Sequence, residues 1–168
     1  MTWHMGVLPP RRSNELAAVA HGPAILARTT GIVVGLRSIF AYSSGLEIAL
    51  VVAATGSAAQ LVARQYTASA EIDPITGNRH PANDLGVGLR FGALDDSTAQ
   101  PFQRKSTEGF GRDPERYERE FLFYTKEFAK SSRVHYRIAW PEVGLPTTDV
   151  ILTLPDAQVL RDNIVILS

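Results

Sequence analysis

The stretch Ile32-Val33-Val34-Gly35-Leu36-Arg37-Ser38-Ile39-Phe40-Ala41-Tyr42-Ser43-Ser44-Gly45-Leu46-Glu47-Ile48-Ala49-Leu50-Val51-Val52 decides the fold. Ile32, Val34, Leu36, Ser38 and Phe40 alternate with Val33, Gly35, Arg37 and Ile39. After Tyr42-Ser43-Ser44-Gly45 the alternation resumes with Leu46, Ile48, Leu50 and Val52. Period-two runs on either side of a glycine-bearing turn read as two antiparallel strands. The second strand is expected to face Leu46, Ile48, Leu50 and Val52 inward and Glu47, Ala49 and Val51 outward.

The same pattern extends toward the C-terminus. Leu85, Val87, Leu89 and Phe91 alternate with Gly86, Gly88, Arg90 and Gly92. Tyr117, Phe121 and Phe123 share a phase opposite Glu118, Glu120, Leu122 and Tyr124. Val134, Tyr136, Ile138 and Trp140 form another apolar row, as do Thr148, Val150, Leu152 and Leu154. With Pro23 to Arg28 as a first strand, seven or eight strands separated by turn signals predict an all-β, antiparallel two-sheet sandwich, immunoglobulin-like or jelly-roll-like. Residues 1–22 read as an N-terminal arm, with Glu15 to Ala20 as a turn of helix. Residues 23–168 read as the sandwich domain. Residues 56–84 interrupt it as an insertion. Within that insertion Ser57 to Ser69 has helical spacing, with Ala58, Leu61, Val62 and Tyr66 on one face and Ser57 at the N-cap. Gln100 to Glu115 is polar and reads as a mobile loop. Asp156 to Arg161 reads as one helical turn, and Ile164 to Leu167 as a last strand or docked tail.

Composition narrows the function classes. The 168 residues carry 17 basic and 17 acidic side chains, so no global field draws in nucleic acid or an anionic membrane. There is no cysteine, which removes disulfides, thiolate metal sites and thiol nucleophiles. The most apolar stretch, Leu46 to Ala54, is too short for a membrane-spanning helix. No secretory leader pattern is read at the start, and a cytoplasmic location is expected.

Ala41-Tyr42-Ser43-Ser44-Gly45-Leu46-Glu47-Ile48-Ala49-Leu50 and Trp140-Pro141-Glu142-Val143-Gly144 carry a resemblance. Together with the Leu85 to Phe91 strand and the glycine-bearing Gln103 to Pro114 segment, they resemble a widespread family of uncharacterised actinobacterial β-sandwich proteins. The resemblance covers most of the chain from Ala27 onward. Phe40 stands where the family often has arginine, and the chain ends Ile166-Leu167-Ser168 rather than Leu-Trp. The family has no assigned activity, so the resemblance implies architecture and no catalytic residues.

No motif supplies chemistry. His4, His21, His80 and His135 lack ligand spacing. Asp73, Asn78 and Asp84 form the calcium candidate, oxygen donors on a turn-rich loop whose spacing departs from an EF-hand. Glu118 and Glu120 share one strand face, where cross-strand ion pairing is the simpler role. Gly86-Val87-Gly88 lies inside a strand rather than opening a helix, and Lys105-Ser106-Thr107 lacks the glycines of a phosphate loop. No catalytic residue, cofactor or metal is therefore expected.

Two functional readings follow. The first is a non-enzymatic module that binds a protein partner or assembles with itself. Its interface candidates are Arg37, Ile39, Glu47, Ala49 and Val51, on a hairpin face too apolar for a solvated sheet. The second is a carbohydrate-binding or hydrolytic jelly-roll-like protein using Trp140, Tyr124, Tyr136 and Glu120. Exposed, coplanar aromatics around a groove would favour the second.

Overall fold

The computed structural model describes residues 14–68, 89–94, 102–104, 108–109 and 115–167. Among the described residues twelve strands, all antiparallel and most of them in two sheets, enclose one core; the all-β sandwich-like class is as expected, and the strands outnumber the seven or eight expected. The central hairpin is β4 (Ile32–Tyr42) and β5 (Gly45–Thr55), paired from Ile32 opposite Ala54 to Tyr42 opposite Gly45. Outside β4 lie β2 (Ala18–His21) and β3 (Ala24–Thr29), both pairing with it. Outside β5 lies β9 (Arg116–Thr125), whose far side receives β7 (Phe102–Arg104) and β8 (Glu108–Gly109). These seven strands form the main sheet. A second sheet has the order β11 (Leu145–Thr153), β10 (Arg133–Trp140) and β6 (Arg90–Ala93). A two-stranded ribbon joins β1 (Glu15–Leu16) to β12 (Val165–Ile166).

Aromatic side chains join the two sheets. Phe91 of β6 stacks on Tyr136 of β10 at 4.9 Å and meets Phe123 of β9 at 5.0 Å. Phe121 of β9 meets Trp140 of β10 edge-on at 6.3 Å. Ile32, Ile39, Ile48, Leu50, Ile138 and Leu145 fill the space between and are fully buried. Each such side chain contributes about 1.5–3 kcal/mol by leaving water.

The helical insertion is α1 (Gly56–Ala68). It seats Ala59 and Val62 in the core, with Ala58 and Ala63 half-buried. Leu61, expected inward, is instead exposed. Small alanines let the helix lie close to the sheet: a Cβ at Gly31, in the β3–β4 turn, would come within 2.9 Å of the Ala58 Cβ. The second helix, α2 (Ala157–Asp162), follows Asp156 as expected.

Three further expectations need correction. Glu15 to Ala20 is not a turn of helix but parts of β1 and β2, with Ala18 and Ala20 in the core and Val19 outward. The sheet thus recruits residues assigned to the arm, because small inward side chains on alternate positions satisfy a packed surface better than an isolated turn. The loop from Gln100 to Glu115 contains β7 and β8, whose backbones complete the hydrogen bonding of β9. The alternation of β4 also changes phase halfway. The register steps from Leu36 opposite Leu50 to Ser38 opposite Ala49, leaving Arg37 as an extra residue in a β-bulge. Beyond it Ile39 and Ala41 point inward, and Phe40 points outward.

Candidate functional site

The candidate site is the outer face of the main sheet, opposite the core. Residues paired in register share a face, so its rows follow from the strand pairing. Val19, Phe40, Glu47 and Tyr124 form one row across β2, β4, β5 and β9. Ser38, Ala49 and Leu122 form the next. Ile25, Gly35, Val51 and Glu120 form a third. Arg28, Val33, Ala53 and Glu118 form a fourth.

Four of the five expected interface residues lie on this face. Arg37 is exposed, Val51 is half-buried, and Glu47 and Ala49 are covered, each 6% exposed. Ile39 is the correction. It is 0% exposed because the Arg37 bulge turns it into the core. Phe40 takes the outward place that strict alternation gave to Ile39.

The bulge does more than change phase. It lets the Arg37 side chain reach Glu118 at 3.4 Å and Glu120 at 3.7 Å on β9, the second strand away. The ion pairing expected of these two carboxylates is therefore present, and Arg37 supplies the cation. These are partly exposed pairs that contribute little stability. They gather both carboxylates and Arg37 at the β9 side of the third and fourth rows, while exposed Arg28 stands at the β3 end of the fourth.

Apart from Arg28, the other end of the face is apolar and open. Val19 is 64% exposed and Ile25 is 54% exposed. They flank the half-buried Phe40 and Gly35, whose missing side chain leaves the surface flat. Sequence reading missed Val19 and Ile25, having placed Val19 in a helical turn. Their signal was Val19 standing between two alanines and Ile25 following the Gly22-Pro23 break.

Elsewhere, side chains form structural contacts. Glu47 is buried between Phe40 and Tyr124 in its row. On the outer face of the second sheet Arg137 grips Asp149 through two hydrogen bonds of 2.7 and 2.8 Å. That hydrogen bonding holds the Asp149 carboxyl below its ordinary range, with a smaller contribution from nearby His135. Among the described residues no three of His, Asp and Glu gather into a metal-binding group. The calcium candidate, Asp73, Asn78 and Asp84, lies outside the described residues. Trp140, Tyr124 and Tyr136 are all buried, so they present no stacking platform for a sugar ring. Glu120 is engaged by Arg37.

No family model, curated protein or solved structure matches this chain. Among the described residues no helix is long and apolar enough to cross a membrane.

Proposed function

We propose that the protein is a non-enzymatic binding module that pairs with a second copy of itself through the outer face of the main sheet. The observation that carries this reading is the exposure of Val19 and Ile25 beside half-buried Phe40 and Val51. The solvent face of an antiparallel sheet is ordinarily polar. The opposed signs of Arg37 and the Glu118–Glu120 pair supply a self-complementary element: a two-fold contact can exchange these pairs between copies.

We infer also membership of the actinobacterial family and a cytoplasmic location. The first rests on the sequence resemblance of Ala41 to Leu50 and of Trp140 to Gly144. The cysteine-free composition supports the second.

Substitution on the face tests the assembly reading. Ile25→Glu and Val51→Glu each place a carboxylate in the apolar contact and should move the sedimentation coefficient to that of one chain, with the β-spectrum unchanged. Val159→Glu, an exposed position on α2, is the control and should leave the association intact. Association that survives both face substitutions would overturn the proposed interface.

A further inference from the structure

A cavity of about 140 Å³ lies between the two sheets, at the end where β9 passes to β10. Its interior is formed by Leu46 of β5, Val134 and Tyr136 of β10, Ala93 of β6, and Phe128 and Ala129 of the connecting loop. It reaches the surface beside Glu127, Lys130 and Arg133, which are exposed and also line it.

The loop that closes the cavity is held in place at several points. The Thr125 hydroxyl donates to the Glu127 carbonyl at 2.9 Å. The Arg133 N–H donates to Ser131 Oγ at 3.2 Å, and the Leu154 N–H donates to the Ser132 carbonyl at 2.7 Å. The Arg161 guanidinium of α2 sits 4.9 Å from the centre of the Phe128 ring. A cavity so bounded is formed before any ligand arrives, which lowers the cost of binding.

Size and lining select the ligand. A cavity of roughly 150 Å³ accepts a benzene-sized body. Leu46, Phe128, Val134 and the Tyr136 ring offer such a body only apolar contact. The mouth adds two cations against one carboxylate. Arg37, Arg90 and Arg137 each hold a carboxylate. Lys130 and Arg133 hold none among the described residues.

We propose that this cavity binds a small monocarboxylate with a compact aromatic or branched apolar body, its carboxylate held at the mouth by Lys130 and Arg133. The site is separate from the sheet face: it lies between the sheets and is independent of self-association.

Phenylacetate, benzyl alcohol and benzylamine share one ring and differ in charge, so they serve as probes. Titration of the full chain, followed by methyl NMR, should show saturable shifts at Leu46 and Val134 with phenylacetate. Its affinity should exceed that of benzyl alcohol by about tenfold, the scale of a charge-assisted contact. Lys130→Gln combined with Arg133→Gln should bring phenylacetate down to the level of benzyl alcohol without changing the latter. Ala129→Leu, on the half-buried loop, should fill the cavity and abolish both. Three results would overturn the proposal: equal affinity for acid and alcohol, preference for the amine through Glu127, or no saturable shift with any probe.

Discussion

Glu15 holds the turn of the central hairpin through Ser43. Its carboxylate accepts the Ser43 hydroxyl at 2.7 Å and the Ser43 N–H at 3.2 Å, and the glutamate is itself buried. A two-residue turn between long strands leaves backbone groups that the ladder does not use. Here a residue from β1 uses one of them and ties the terminal ribbon to the sheet. Glu15→Ala should destabilise the protein by about 1–3 kcal/mol in urea unfolding, with Ser43→Ala costing less. In a double-mutant cycle the two losses should be less than additive; full additivity would mean the contact contributes nothing.

The glycine that closes this turn has no substitute. Gly45 has φ of 135°, and a Cβ there would collide with the Thr125 carbonyl oxygen. The obstacle is backbone of a neighbouring strand, which has no rotamer with which to move away. Gly45→Ala should cost at least about 3 kcal/mol. Gly22→Ala, which meets nothing within 4 Å, should be nearly silent in the same denaturation assay.

The bulge at Arg37 makes an unusual prediction about deletion. Removing Arg37 keeps Leu36 opposite Leu50 and Ser38 opposite Ala49, so every inward residue of β4 stays inward. The shortened chain should fold and lose only about 1 kcal/mol, since an exposed ion pair goes with the residue. Removing Phe40 instead puts Ala41 and Tyr42 out of phase with Ile39 and should cost about 3 kcal/mol or more. Comparing the two melting curves checks the register.

That bulge also shows where the sequence stops being legible. The alternation placed β5, β9, β10 and β11 correctly, because in each strand one phase is clearly more apolar than the other. In β4 the two phases beyond Arg37 look alike: Ser38 and Phe40 against Ile39 and Ala41. Only the hydroxyl of Ser38 in the supposed inward phase hinted at the slip. The strands β1 and β2 were missed because Glu-Leu-Ala-Ala-Val-Ala is rich in helix formers, and pairing with β4 and β12 overrides that local preference. The site suffered accordingly. Arg37, Glu47, Ala49 and Val51 were placed on the right face, while Val19, Ile25 and Phe40 depended on pairings that alternation does not encode.

Burial of Tyr136 sets an alkaline limit. The residue is 2% exposed, and desolvation pushes the pKa of its phenol from 10.0 up to about 12. Between these values the unfolded chain has released a proton that the folded chain keeps. Stability is therefore undiminished below pH 10 and falls as pH rises from about 10 to about 12, by at most about 1.4 kcal/mol per unit. The loss should be shallower in Tyr136→Phe, and the difference between the two proteins in unfolding free energy across that window isolates this phenol. Identical pH slopes would contradict the assignment.

The proposal that the outer sheet face joins two copies is tested most directly by mass. Light scattering of the unmutated full chain at micromolar concentration should report twice the 18.3 kDa of one chain, falling toward a single chain on dilution. A constant mass of one chain across that range would contradict self-association and leave Val19 and Ile25 as solvent-facing residues of a monomer.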